Sequence, residues 1–275
     1  MSLVIVARGC ARVAFSAGMA LALWGCAGMA GAPGGPSASS ASSTPSGLHT
    51  PAQGDLVAGP AALAWVAGEQ WSRHSFPHKK PTDFQAVQQD GRHAVRAVAD
   101  ASASMLRQKI RIEPADLAQL SFSWKVPQLI ASADMALREG EDSPVRIVLA
   151  FEGDSSKLSL KNQMFSELAH SLTGEPLPYA TLMYVWCNKR AAGTLITNPR
   201  SDRVRKIVVE QGITYLNQWL DYERDIKADF ERAFGEAPGA LIGVALMTDS
   251  DNTKTRTQAW YGPVTIGKLG KAPAP

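Results

Sequence analysis

Three cysteines, Cys10, Cys26 and Cys187, are too few and too scattered to form a disulfide framework. Cys10 lies in an apolar leader and Cys26 ends it, so the folded part keeps only Cys187. That residue reads as a small buried apolar side chain rather than a reactive thiol. No Gly-x-Ser-x-Gly, His-Glu-x-x-His, phosphate-loop or paired-cysteine metal motif occurs, so no named reaction is written in the chain. Charge of one sign is also scarce. Lys and Arg number 28 against 25 Asp and Glu, a formal charge of +3. Part of that excess sits at Arg8 and Arg12, and no basic stripe remains to hold nucleic acid. The leader's apolar run falls short of the ~20 residues that cross a bilayer.

What is present begins with an export signal. Arg8 and Arg12 precede the run from Val13 to Leu23, a basic region followed by a short apolar one. Leu23-Trp24-Gly25-Cys26 then resembles a bacterial lipobox, with Gly25 as the small residue before the acylated cysteine and Trp24 as an unusual neighbour. Residues 1–25 are therefore expected to be a lipoprotein signal peptide, with the lipid on Cys26. Ordinary cleavage after Ala30-Gly31-Ala32 is the competing reading, but it leaves Pro33 directly after the cut. Ala27 carries no acidic retention signal, so an outer-membrane lipoprotein facing the periplasm is expected, with a soluble periplasmic form as the alternative. Residues 26–60 are dominated by Ala, Gly, Ser and Pro, too poor in apolar area to offset ordering entropy, and read as a flexible linker.

Residues 61–270 form the expected folded domain, large enough to bury a core without metals or crosslinks. In 106–112, Leu106, Ile110 and Ile112 alternate with Arg107, Lys109 and Arg111, the period of a half-buried strand. Further strands are expected at 93–99, 120–126, 145–151, 181–187, 206–210, 241–248 and 264–266. Two helices are expected. One spans 161–172, with Met164, Phe165, Leu168 and Leu172 on one face and Gly174 as its stop. The other spans 224–234, with Ile226 and Phe230 together and Gly235 ending it. Many short strands and few helices predict a mostly-β, jelly-roll-like two-sheet sandwich.

Several of these segments resemble an uncharacterised bacterial family, that of domain of unknown function 3047. The matching stretches are Ala101-Ser102-Ala103-Ser104-Met105-Leu106, Phe122-Ser123-Trp124-Lys125-Val126 and Gly140-Glu141-Asp142 with Arg146. Tyr184-Val185-Trp186, Arg224-Asp225-Ile226 through Asp229-Phe230, and the run from Met247 to Thr253 complete the series. Glu141 replaces the family's usual aspartate, and 161–172 looks like an insertion. The resemblance implies a jelly-roll-like sandwich and leaves the function unassigned.

Candidate chemistry follows from what the strand period groups together. Arg146, Tyr184, Trp186 and Trp124, with Asp142 nearby, are the residues expected to meet on one sheet face. Aromatic plates stack on sugar rings, and arginine or carboxylate bonds hydroxyl groups. The alternative is that the tryptophans fill the core and Arg146 pairs with Asp142. Asp249, Asp251 and Asn252 offer closely spaced hard oxygens that suit calcium, or else form a plain Asx turn. Asp142 and Asp249 are also the expected acid pair if the chain is a glycoside hydrolase or lyase. The leading expectation is an exported, non-catalytic module that recognises a glycan or surface polymer. A carbohydrate-active enzyme and a structural lipoprotein that binds another envelope protein are the alternatives.

Overall fold

The computed structural model describes residues 71–267. The expected signal peptide, Cys26, the linker and both ends of the 61–270 domain lie outside the described residues. In chain order the strands are β1 (Ser72–Ser75), β2 (Asp83–Gln89), β3 (Arg92–Asp100), β4 (Ala103–Ile112), β5 (Gln119–Lys125), β6 (Ser143–Phe151), β7 (Ala180–Cys187), β8 (Leu195–Thr197), β9 (Val204–Gln211), β10 (Trp219–Asp225), β11 (Leu241–Asp249) and β12 (Arg256–Gly267). Helix α1 (Leu160–Thr173) lies between β6 and β7, and α2 (Ile226–Phe234) between β10 and β11. No helix among the described residues is long and apolar enough to cross a membrane.

The strands form two sheets. One has seven strands in the order β1-β4-β11-β6-β7-β9-β8, the other five in the order β10-β5-β12-β3-β2. From β3 to β6, and again from β9 to β12, each strand crosses to the opposite sheet, which is the jelly-roll pattern. Neighbours are antiparallel except for β7 and β9. The protein is a mostly-β two-sheet sandwich, as the alternating pattern predicts. Leu106, Phe122, Trp124, Ile147, Leu149 and Tyr184 are among the side chains that fill the space between the sheets. Each large apolar side chain buried there stabilises the fold by about 1.5–3 kcal/mol.

The seven-stranded sheet is covered on its other face too. Residues 127–142 run across it and, with β8, enclose a second small core of Met135, Val185, Cys187, Ile196 and Val208. Cys187 is buried there as a free thiol, in the apolar role expected of it. This roof determines the fate of Arg146, as shown below.

The two helices behave differently. In α2, Asp225 accepts a hydrogen bond from the Ala228 amide (2.9 Å) as N-cap, and Ile226, Phe230 and Ala233 are buried. The helix starts at Ile226 rather than at 224, because Arg224 and Asp225 complete β10. Helix α1 forms where expected, capped by Ser159 and stopped by Gly174 in the left-handed region (φ 76). Its apolar stripe, however, faces away from the core. Among its residues only Asn162 is buried.

Candidate functional site

The residues proposed from sequence separate into a sealed ionic cluster and a sealed aromatic layer. Arg146 follows Val145 on β6 and so points away from the sandwich interior, beneath the roof. Its Nε and Nη2 donate to the two carboxylate oxygens of Asp249 at 3.0 and 2.8 Å, and Nη2 also donates to the Glu141 carbonyl at 2.9 Å. The Ser143 amide supplies Asp249 with a further bond at 3.0 Å. Glu141 in turn accepts from Lys206 (2.8 Å), Arg200 (2.9 Å) and Asn198. Asp142 accepts from the Asn252 amide and side chain, and from the Thr253 amide and hydroxyl at 2.6 Å each. Asp251 pairs with Lys79.

Four buried carboxylates thus meet four cations, of which Arg146 and Lys206 are buried and Lys79 and Arg200 reach solvent. Burial pushes Asp249 up to about 6, against the opposing pull of Arg146. Burial, reinforced by the like charge of Arg146, pushes Lys206 down to about 8 despite Glu141. Both shifts run in the direction burial drives, so desolvation outweighs the attraction between the partners. It joins β6, β9, β11 and the roof.

The calcium set expected at Asp249, Asp251 and Asn252 is not assembled. Asp249 and Asp251 do approach each other, but the third carboxylate is Asp142, the three offering oxygens within 4.8 Å of one another. Asn252 turns its amide nitrogen inward, donating to Asp142 and to the Glu141 carbonyl. A cation at this place has to displace Arg146 and Lys79 from carboxylates they already neutralise. The Asp142–Asp249 acid pair meets the same difficulty, since both are buried with their oxygens engaged.

The expected recognition face also does not form. Arg146 is in register with Val185, so Tyr184 and Trp186 project from the opposite side of their sheet. Trp124, Tyr184 and Trp186 are 0%, 0% and 1% exposed. Phe122 stacks on Tyr184 at 5.7 Å and leans on Trp124 at 5.0 Å. Their polar ends are held internally: Tyr184 Oη donates to Asp229 at 2.9 Å and Trp186 Nε1 to the Gly212 carbonyl at 3.0 Å. The alternative in which the tryptophans fill the core holds, with Asp249 rather than Asp142 as the partner of Arg146.

The open polar surface lies on the outer face of the five-stranded sheet. In β5, Leu120, Phe122 and Trp124 point inward, which turns Ser121, Ser123 and Lys125 out. Register puts Trp219 of β10, Lys125 of β5 and Trp260 of β12 in one row across three adjacent strands. The two indoles therefore stand two strand spacings apart, roughly 10 Å. Lys125 Nζ lies 6.0 Å from the centre of the Trp260 ring, and the Arg92 guanidinium lies 5.3 Å from that of Trp219.

Asp90 organises this row. It accepts from Lys125 at 2.6 Å and from Trp219 Nε1 at 3.1 Å, and the Lys125 bond holds its carboxyl below the ordinary range. Asp90 and Gly91 both have positive φ (53 and 75), the conformation of a tight hairpin turn joining β2 and β3. Beside the row a groove of about 750 Å³ is lined by Arg92, Ser121, Ser123, Asp221, Glu223 and Thr265. At the β12 bulge, Gly262 keeps the floor low, because a Cβ there would collide with the Ser123 hydroxyl and press on Trp219. None of the Trp219, Trp260 or Asp90 contacts was expected from sequence. The Asp90-Gly91 turn was the one visible signal.

No curated protein matches the chain. Among solved structures it is similar to a family 11 carbohydrate-binding module of a cellulosomal cellulase, Lic26A-Cel5E of Clostridium thermocellum. That match has 7% identity and a TM-score of 0.36 over 72% of this chain and 88% of that one. It is also similar to the xyloglucanase domain of NopAA, a type three effector from Sinorhizobium fredii, in complex with cellobiose. Here identity is 10% and the TM-score 0.37, over 71% and 92% of the two chains. Scores and identities this low carry no argument about what the present chain binds. The model of the family described as protein of unknown function (DUF3047) matches residues 69–265, through both sheets from β1 into β12, and the chain belongs to that family.

Proposed function

We propose that the domain binds a glycan, non-catalytically, on the outer face of its five-stranded sheet. The observation that carries this reading is the row Trp219–Lys125–Trp260 beside the groove. Two half-exposed indoles offer apolar plates to the C–H faces of sugar rings. Arg92, Asp221, Glu223 and Ser121 supply the hydrogen-bonding groups that select among hydroxyl patterns. The residues first favoured for this role, Trp124, Tyr184 and Trp186, instead build the core beneath that face.

The module works in the envelope, exported and tethered through a lipid on Cys26 with residues 27–60 as spacer. The sequence of the leader supports that placement. The outer membrane facing the periplasm is the favoured site because Ala27 carries no retention signal.

The test is a polysaccharide panel scored by pull-down and affinity electrophoresis with the wild type, Trp219→Ala, Trp260→Ala and the double variant. The wild type should retain at least one polysaccharide. Each single variant should bind roughly ten-fold more weakly, about 1.4 kcal/mol, with unchanged near-ultraviolet circular dichroism from the buried tryptophans. Undiminished binding by the double variant, or no retention by the wild type across the panel, defeats the reading.

A further inference from the structure

Helix α1 carries an apolar stripe that the sandwich does not use. Leu160, Met164, Leu168 and Leu172 recur at every fourth position, with Phe165 beside them. They are 74%, 63%, 56% and 59% exposed, and Leu177 just beyond the helix is 49% exposed. The helix is tied to the domain by a polar anchor instead: Asn162 donates to Asp202 at 2.6 Å and accepts from Ser201 at 2.9 Å. Soluble monomers rarely leave apolar patches larger than a few hundred Å² in water, and this one exposes roughly 600 Å².

We propose that this stripe is the interface of a homodimer in which α1 packs antiparallel against α1 of a second copy across a two-fold axis. The spacing is symmetric about Ser166: Leu160 and Leu172 lie six residues to either side, Met164 and Leu168 two. A two-fold axis at Ser166 therefore sets Met164 against Leu168 in both directions at once. That self-complementarity is what an isologous interface requires. Ridges of residues four apart on two facing helices interdigitate at a crossing of about 50°, so Met164, Phe165 and Leu168 hold the centre of the contact. Two copies of the stripe expose roughly 1,200 Å² in all, so a contact that covers it fully reaches the lower end of the range of specific interfaces.

Sedimentation velocity on the full chain, followed from sub-micromolar to high micromolar concentration, tests this directly. The wild type should reach twice the chain mass. Leu168→Glu, at a position already exposed and so harmless to folding, should weaken self-association by more than roughly thirty-fold. A second measurement fixes the geometry. Chains carrying Met164→Cys and chains carrying Leu168→Cys, co-expressed with distinguishable tags, should form a mixed disulfide under mild oxidation, while Met164→Cys alone should not. A wild type that stays monomeric overturns the proposal. So does a dimer indifferent to Leu168→Glu, or a stripe that partitions onto phosphatidylglycerol vesicles without dimerising.

Discussion

Replacing Arg146 with methionine tests the ionic cluster most severely. The substitution roughly keeps volume but removes the two bonds to Asp249 (3.0 and 2.8 Å) and the one to the Glu141 carbonyl (2.9 Å). Asp249 is 3% exposed and has no water to replace the lost cation. Breaking a buried pair from one side costs about 3–5 kcal/mol, because the remaining charge stays uncompensated. Against a total stability of about 5–15 kcal/mol that is a large fraction, and it should lower the urea midpoint near neutral pH by more than about 1 M.

The pH dependence sharpens the test. Burial already lifts Asp249 from 3.8 to about 6 with Arg146 in place, and without the guanidinium it moves higher. A carboxyl raised in the folded state contributes stability that is complete below its unfolded value and is lost as pH climbs through the folded one. The defect of Arg146→Met should therefore be smaller near pH 4, where Asp249 is largely protonated, than near neutral pH. Adding Asp249→Leu should restore much of the loss. A neutral-pH penalty under about 1 kcal/mol, or one that does not shrink on acidification, refutes the account of the cluster.

Lys206 titrates in the opposite sense. Its folded value of about 8 lies below the ordinary 10.5, so the unfolded chain binds more protons between the two and this group's contribution rises across that window. Lys206→Met should remove that rise in thermal melts between about pH 8 and 10, and a wild type and variant that differ equally at every pH would contradict it. For the tether, cells fed a labelled fatty acid should incorporate it into the wild-type chain and not into Cys26→Ser, while equal labelling of both defeats the anchor.

The strands legible in the sequence are those whose alternation is uninterrupted. Residues 106–112, 145–151 and 181–187 were assigned correctly because one of their faces meets the core at every second position. Strand β10 was missed because its inward series, Leu220, Tyr222 and Arg224, ends in a cation. Arg224 finds its partner only in three dimensions, on Asp229 at 2.6 and 2.8 Å, beside the Tyr184 hydroxyl. The first half of β12 was missed because the bulge at Gly262 and Pro263 shifts the register between Tyr261 and Val264, so one period does not span the strand. Strands β1 and β8, with four and three residues, are too short to show any period.

The site failed for a related reason. Period two states which residues share a face, and it correctly put Arg146 opposite Val145 and Ile147. It does not state whether that face meets water. That depends on residues 127–142, an irregular stretch with no sequence period, which nonetheless buries Met135 over the seven-stranded sheet. Nor does it relate faces across strands: whether Arg146 lies level with Val185 or with Trp186 is a register of one residue, and one residue inverts the whole pattern. The same rule works in favour of the five-stranded sheet. Because Phe122 and Trp124 are committed inward, Lys125 must face out. The two tryptophans in register with it, Trp219 and Trp260, are thereby held on the solvent side by the very packing that buried the residues first chosen.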